Sequence, residues 1–281
     1  MSRILIYTSP ARGHLYPMMD VALALRSSGH DVVVQTLADE RATLEAAGVA
    51  HRPIAAAIEA LLLEDYRGGN PMAQLQRTFD TWLARAPHEV DDVRRAVTEW
   101  SPDLLVVDTN TWGAAAYAES LGRPWALFQP YVLPLASSDT PAFGLGFAPP
   151  RNAFDRLRDT ALRTAQRLGT RRQIARLDAL RASLGVPPVR RFDGIVARPD
   201  LVLYRTAVPF EYPRRVWPAN VAAIGPGLWA PPGESPPWLA ELPRPRVLVS
   251  VSTELQEDGA IVEAAIEGLA DRPGSVIVTT A

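Results

Sequence analysis

The most constraining feature of this chain is a short apolar run near the N-terminus that leads into a loop of glycine and proline. Residues 4–7 read Ile-Leu-Ile-Tyr and predict a buried strand, and a helix is predicted to start near Pro17. This order is typical of the first unit of an open α/β sheet, in which ligands bind beyond the carboxyl ends of the strands. The loop carries His14, so we expect this histidine to lie at a site of chemistry.

Strand and helix patterns alternate along the first 205 residues. Further strands are predicted at 31–35, 103–108, 125–129 and 201–205, and helices at 18–28, 39–47, 72–99, 113–121 and 151–184. Pro87 marks a candidate break in the third helix, and a long loop is expected at 131–150. This order predicts an α/β fold with a Rossmann-like parallel sheet and right-handed crossovers.

A proline-rich stretch divides the chain into two unequal parts. We predict a Rossmann-like domain over residues 1–224, an interdomain linker over 225–246, and the truncated start of a second Rossmann-like domain over 247–281. The last part holds one strand–helix–strand unit, which is shorter than the roughly 40 residues that usually hold a core alone. We expect it to pack on the first domain or on a partner, and its open sheet edge favours a homo-oligomer.

Composition excludes several classes of protein. The formal net charge is −2 over 281 residues, which argues against a nucleic-acid binder. The chain has no lysine and no cysteine, which excludes a Schiff-base lysine, a P-loop lysine, a thiol nucleophile and a thiolate metal site. Neither a secretory signal nor a run of about 20 apolar residues is visible, so we expect a cytoplasmic protein without a membrane span. The sequence contains no cluster of His, Asp and Glu at the spacing of metal ligands, so we do not expect a metal site.

His14 and Asp108 form the candidate catalytic pair. Both follow strands of the predicted parallel sheet, so both belong at its carboxyl edge. A carboxylate bound to one imidazole nitrogen fixes the tautomer and makes the other nitrogen a better base. The alternative is a histidine satisfied by the backbone and an aspartate that caps the next helix. The other histidines, His30, His51 and His88, are interpreted as structural.

Two further groups of residues could bind ligands. Ser252 and Thr253 end the strand after the linker, where hydroxyl and backbone N–H groups could hold a phosphate, although an ordinary turn is equally compatible. An apolar pocket could be lined by aromatic side chains, with core packing favoured for the first two: Phe79, Trp82, Tyr131, Phe143 and Phe147.

Together these motifs resemble those of a known family. The segment Ala-Arg-Gly-His-Leu-Tyr-Pro-Met at 11–18, the strand at 102–108 followed by Trp-Gly-Ala-Ala-Ala at 112–116, and the segments 223–226 and 247–253 carry the resemblance. They are similar to the GT-B fold glycosyltransferases of the UDP-glycosyltransferase superfamily, and especially to actinobacterial enzymes that decorate antibiotics.

The resemblance implies an inverting transfer of a sugar from a nucleotide sugar to a hydroxyl of a small, hydrophobic natural product. It assigns His14 as the general base and Asp108 as the group that orients it. Gly13, Ser252 and Thr253 would then lie near the donor, and the aromatic side chains listed above would contact the acceptor. The nucleotide sugar is a co-substrate, and neither a cofactor nor a metal is expected.

The chain departs from the family's pattern at its C-terminal end. The glycine-rich turn that binds the donor diphosphate is absent from residues 1–281. We therefore expect the fold and the acceptor site to form, and low or no activity from this chain alone. An alternative function is a non-catalytic binding or partner module derived from a glycosyltransferase. A sugar-nucleotide epimerase ranks lower, because it would need more carboxylates at the cleft.

Overall fold

The computed structural model describes residues 1–207, 209–252, 256 and 258–279. Its strands are β1 (Arg3–Tyr7), β2 (Asp31–Thr36), β3 (Ala50–Pro53), β4 (Leu104–Asp108), β5 (Trp125–Gln129), β6 (Leu201–Tyr204), β7 (Val221–Ala223), β8 (Arg246–Ser250) and β9 (Ser275–Thr279). Its α-helices are α1 (Arg12–Ser27), α2 (Arg41–Ala46), α3 (Ala56–Glu59), α4 (Pro71–Trp100), α5 (Trp112–Ser120), α6 (Ala153–Ser183), α7 (Trp238–Glu241) and α8 (Gly259–Leu269).

The first seven strands form one parallel sheet in the order β3-β2-β1-β4-β5-β6-β7, which confirms the predicted fold class. β1 lies between β2 and β4, so that Tyr7 is in register with both Gln35 and Val107. From β1 the chain builds outward first through β2 and β3, and then returns to add β4 on the other side. The carboxyl ends of β1 and β4 therefore flank the point where the strand order reverses, where open α/β sheets bind ligands.

Both faces of this sheet are covered by helices. Side chains alternate along each strand, so Leu5 packs into the core under α4, α5 and α6, whereas Ile4 and Ile6 pack into the core under α1. Strands buried on both faces read as continuous apolar runs, which explains why β1 and β4 were predictable from sequence.

Two local predictions about proline were wrong. α1 begins at Arg12 rather than near Pro17, and His14 lies in its first turn instead of in a loop. α4 runs unbroken through Pro87. A proline removes one helical hydrogen bond and crowds the carbonyl four residues before it, at a cost of about 3 kcal/mol. The apolar faces that both helices bury against the sheet outweigh this local cost.

The two edge strands were not predicted. β3 reads Ala-His-Arg-Pro and pairs with β2, and β7 has three residues and pairs with β6. Neither strand carries the apolar alternation that indicates a strand in a sequence, because both lie at the sheet edges and none of their residues is buried.

The predicted linker and the unit after it have their own contacts. Within 225–246 the structure contains α7, and Leu228 donates its backbone N–H to Asp20 on α1 at 2.9 Å. β8 and β9 form a separate two-stranded parallel sheet joined by α8. Apolar side chains on this unit, among them Leu248 and Ile261, are more than half exposed. Among the helices in the described part of the chain, none has the length and apolar character needed to cross a membrane.

Candidate active site

His14 and Asp108 meet at the carboxyl ends of β1 and β4. His14 is the third residue of α1, and Asp108 is the last residue of β4. Nδ1 of His14 lies 2.7 Å from Oδ2 of Asp108, and the Asp108 side chain is fully buried whereas that of His14 is 16% exposed. The carboxylate is therefore enclosed by the protein, whereas the imidazole is partly accessible to solvent.

The loop after β4 holds Asp108 in place. The second carboxylate oxygen of Asp108, Oδ1, accepts the backbone N–H of Asn110 at 2.8 Å. The carbonyl of Asp108 accepts both the backbone N–H of Thr111, at 3.1 Å, and its hydroxyl, at 2.7 Å. These short-range bonds close the turn between β4 and α5 and leave the carboxylate a single orientation.

Asn110 and Tyr131 extend the hydrogen-bonded chain beyond the predicted pair. The side-chain amide nitrogen of Asn110 lies 3.1 Å from Nε2 of His14, and its amide oxygen accepts the hydroxyl of Tyr131 at 2.7 Å. The Tyr131 ring also meets the His14 ring edge to face, with 5.9 Å between the ring centres. Sequence reasoning missed Asn110, although a polar Asp-Thr-Asn run directly after an apolar strand marks the carboxyl edge of a sheet.

This arrangement defines one state of the imidazole. The carboxylate of Asp108 can only accept, so Nδ1 of His14 carries the proton. The amide nitrogen of Asn110 can only donate, so Nε2 presents its lone pair. An imidazole held in this tautomer can take a proton at Nε2 while the carboxylate stabilises the resulting cation.

Two titratable groups near Asp108, Glu89 and Tyr131, keep their protons near pH 7. Burial raises the pKa of Glu89 to about 8, although the backbone N–H groups of Gly113 and Ala114 oppose the shift. Burial, reinforced by the charge of Asp108, raises the pKa of Tyr131 well above its usual range, so its hydroxyl stays a hydrogen-bond donor.

A cavity of about 300 Å³ opens on the exposed side of His14. Four of the residues predicted from sequence line it beside the histidine: Gly13, Trp82, Tyr131 and Ser252. Ser252 donates its backbone N–H to Asp258 at 3.0 Å, just before α8. Arg85, which no motif indicated, also lines the cavity and donates Nε–H to the carbonyl of Leu61 at 2.9 Å.

The remaining predicted residues lie elsewhere. Phe79 is 2% exposed and packs against Trp82 and Trp112 in the core. Phe143 lines a small, separate cavity beside Phe192. Phe147 lies at the surface under the guanidinium of Arg158, 4.4 Å from its ring centre. Thr253 lies outside the described residues.

Two other histidines have local structural contacts. The backbone N–H of Ser2 donates to Nδ1 of His30 at 3.3 Å, and Nε2–H of His51 donates to the carbonyl of Leu37 at 3.0 Å. Neither imidazole lines the cavity beside His14.

Comparison with curated proteins finds relatives along nearly the whole chain, whereas no protein-family model matches it. The chain is 31% identical over 300 aligned positions to 4'-demethylrebeccamycin synthase of Lentzea aerocolonigenes, covering 99% of this chain and 70% of that protein. It is 26% identical to the elloramycin glycosyltransferase ElmGT of Streptomyces olivaceus, covering 90% of this chain and 58% of the relative.

Solved structures show the same fold. The calicheamicin glycosyltransferase CalG4 superposes with a TM-score of 0.66 at 18% identity, over 99% of this chain and 65% of that structure. The spinosyn forosaminyltransferase SpnP superposes with a TM-score of 0.62 at 20% identity, over 100% of this chain and 67% of that structure. The chain thus spans between about three fifths and 70% of the length of these proteins. From the similarity to the rebeccamycin enzyme over almost its whole length, and from its fold, the chain belongs to the GT-B glycosyltransferases of antibiotic and natural-product biosynthesis.

Proposed function

We propose that the protein transfers a sugar from a nucleotide sugar to a hydroxyl of a small natural-product acceptor, with inversion at the anomeric carbon. The observation that carries this proposal is the 2.7 Å contact between His14 and buried Asp108 at the mouth of a cavity. This contact gives the imidazole the tautomer and the partner that a general base needs.

In the proposed reaction, Nε2 of His14 accepts the proton of the acceptor hydroxyl as its oxygen attacks. The new bond forms between that oxygen and the anomeric carbon. The bond from the anomeric carbon to the diphosphate oxygen breaks on the opposite face, and its electron pair leaves with the nucleoside diphosphate. Asp108 stabilises the imidazolium that results, because its carboxylate remains hydrogen-bonded to Nδ1–H.

The lining of the cavity supports separate sides for acceptor and donor. Trp82 and Tyr131 offer aromatic surface for a hydrophobic acceptor. Gly13, which has no side chain, lets a ligand approach the first turn of α1, and Ser252 brings a hydroxyl from the β8 unit. We assign these two residues, together with Thr253, to the donor side. The nucleotide sugar is the co-substrate in this proposal, and no resident cofactor is invoked.

The domain boundaries predicted from sequence are compatible with separate acceptor and donor sides. In the proposed arrangement residues 1–224 hold the acceptor, residues 225–246 connect, and residues 247–281 begin the donor side. Among the solved relatives are SsfS6 and SpnG in complex with thymidine diphosphate, and SpnG in complex with the spinosyn aglycone. Thymidine diphosphate and this aglycone are therefore suitable first probes for this chain.

The test combines calorimetry with a transfer assay. Thymidine diphosphate and a panel of antibiotic aglycones are titrated into the wild-type chain, His14→Ala and His88→Ala, and transfer from a thymidine diphosphate sugar is followed by mass. Transfer by the wild-type chain is expected to be low, and we expect His14→Ala to reduce it by roughly 10²- to 10⁴-fold. Aglycone binding by His14→Ala should stay within a few-fold of the wild type. His88 is exposed on α4, so His88→Ala serves as the matched control and should behave as wild type.

Two results would count against the proposal. One is transfer by His14→Ala at the wild-type rate. The other is a chain that binds neither aglycone nor thymidine diphosphate. Aglycone binding without nucleotide binding would restrict the role of residues 1–281 to the acceptor half of the reaction.

A further inference from the structure

The side chain of Asn110 faces the nitrogen that the proposed mechanism uses as its base. Its amide nitrogen lies 3.1 Å from Nε2 of His14. The other end of the amide is fixed, because its oxygen accepts the hydroxyl of Tyr131 at 2.7 Å. The amide therefore donates to Nε2 and does not accept from it.

The loop does not need this side chain for its own conformation. The turn after β4 is closed by the backbone N–H of Asn110 on Asp108 and by the two bonds from Thr111. None of these bonds uses the side-chain amide of Asn110. The backbone thus positions the side-chain amide, and the partners that it has among the described residues, His14 and Tyr131, both line the cavity.

Asp108, His14, Asn110 and Tyr131 form a hydrogen-bonded chain. The imidazole donates a hydrogen bond at one nitrogen and accepts one at the other. Nδ1–H donates to a carboxylate, and Nε2 accepts from an amide. Among the residues that the structure describes, Asp108, Tyr131 and Arg85 are charged or titratable groups near the ring, and Arg85 lines the same cavity. An amide has no proton to lose in the physiological range, so its donation persists when these neighbours change state.

We propose that Asn110 is a positioning residue that stands in for the acceptor: it keeps Nε2 of His14 unprotonated and directed into the cavity until the acceptor hydroxyl replaces it there. The second half of this statement rests on the proposed function. An exchange of one donor for another at Nε2 costs little, because a hydrogen bond is lost and one is formed. It also requires that the reacting group of the acceptor be a hydrogen-bond donor, and it selects against acceptors that present only an ether or a carbonyl oxygen.

The first experiment needs no turnover. The ring nitrogens of His14 are observed by ¹⁵N NMR in the full chain and assigned with His14→Gln. In the wild type we expect a protonated Nδ1 and an unprotonated, hydrogen-bonded Nε2. In Asn110→Ala the Nε2 resonance should shift, because the hydrogen bond from the side-chain amide is lost. Asn152→Ala, which alters a helix cap outside the cavity lining, should leave both resonances unchanged. An Nε2 resonance that does not move in Asn110→Ala overturns the proposal.

Tyr131→Phe removes the hydroxyl that fixes the amide and keeps the proposal testable if Asn110→Ala does not fold. Its Nε2 resonance should move in the same direction by a smaller amount. Asn110→Asp replaces the donor with an acceptor and should bring a proton onto Nε2, so that both nitrogens become protonated. If neither variant changes the ring, Asn110 does not set its state.

The second experiment measures transfer. If Asn110 competes with the acceptor, Asn110→Ala should lower the acceptor KM about fivefold, the equivalent of one net hydrogen bond. The value of kcat should stay near that of the wild type, because the displaced amide no longer contacts Nε2 in the complex. A merely structural residue would instead raise KM or reduce the amount of active protein at constant KM. The expected ¹⁵N change together with transfer by His14→Ala at the wild-type rate would contradict the proposed function and leave the positioning role of Asn110 standing.

Discussion

Glu89 and Gly113 join the two helices that cover one face of the sheet. Oε2 of Glu89, on α4, accepts the backbone N–H of Gly113 at 2.8 Å, and the next N–H, that of Ala114, lies 3.4 Å away. These are among the N–H groups at the start of α5 that have no partner within the helix. Thr111 is the N-cap residue of α5, but its side chain does not bond to the N–H groups of the first turn. Glu89 on α4 accepts these hydrogen bonds instead.

This cap lies behind the candidate catalytic pair, and its protonation state follows from its burial. Glu89 is fully buried and close to Asp108, whose charge also disfavours ionisation of Glu89. Burial is the largest cause of the rise in the pKa of Glu89 to about 8. Glu89 is therefore mostly a neutral acid at pH 7.

Glu89→Gln should flatten the dependence of stability on pH. The pKa of Glu89 is about 8 when folded, against an ordinary value of 4.5, so the folded chain binds this proton more tightly between those values. Folding stability from this group is complete at low pH and is lost as the pH rises toward 8. In urea unfolding at pH 5 and pH 8, we expect the wild type to lose on the order of 3 kcal/mol more than Glu89→Gln over this range.

Glu99→Gln is the matched control for this measurement. Glu99 lies on the same helix, is exposed and pairs with Arg52 at 2.5 Å. Its substitution should leave the pH slope of the wild type intact. An equal slope in the wild type and in Glu89→Gln would mean that Glu89 does not hold its proton in the folded chain.

Gly113→Ala should destabilise the chain by at least about 2 kcal/mol. A Cβ atom at this position would lie 1.9 Å from the backbone carbonyl oxygen of Ala86 on α4, so the two helices could not keep their spacing. Urea unfolding measures the loss, and Gly69→Ala provides the comparison because an added Cβ there meets no atom within 4 Å. Gly69→Ala should be neutral or slightly stabilising. Equal stabilities of the two variants would disprove the close approach of α4 and α5.

The central sheet was predictable because its strands are buried on both faces. A run such as Leu-Val-Val-Asp at 105–108 indicates a buried parallel strand. The last residue of such a strand lies at the carboxyl edge of the sheet. The sequence also pointed to His14 at the same edge. It did not reveal that β1 and β4 are neighbours, because strand order depends on long-range packing that no local pattern encodes.

The parts of the site that escaped prediction depend on side-chain direction. Asn110 looks like an ordinary loop residue in the sequence, and only the closed turn after β4 directs its amide toward His14. Phe79 and Trp82 have the same aromatic character and lie three residues apart on one helix. Phe79 faces the core, whereas Trp82 also lines the cavity. The spacing of apolar residues along a helix shows which side is buried, but it does not show which buried residue borders a cavity.

Trp82 and Phe79 should therefore respond differently to substitution. Trp82→Leu removes aromatic surface from the cavity, so we expect aglycone binding measured by calorimetry to weaken about tenfold, with a modest loss of stability. Phe79→Leu should cost roughly 1 to 2 kcal/mol of unfolding free energy and leave aglycone binding within about twofold of the wild type. The acceptor role predicted for Phe79 would be supported by the opposite pattern, in which Phe79→Leu loses binding and Trp82→Leu does not.

Asp108→Asn should separate the geometry of the catalytic pair from its charge. An asparagine can keep its oxygen on the backbone N–H of Asn110, so the turn after β4 should persist. Its amide nitrogen would then face Nδ1 of His14 and donate to it, which moves the ring proton to Nε2 and removes the lone pair that accepts the acceptor's proton. We expect transfer to fall by 10²-fold or more, in the range ascribed to general-base catalysis, while aglycone binding stays near that of the wild type. The circular dichroism spectrum and the urea midpoint provide the check on folding. Transfer by Asp108→Asn within about threefold of the wild-type rate would show that the carboxylate is dispensable, and the base would then have to be sought elsewhere in the cavity.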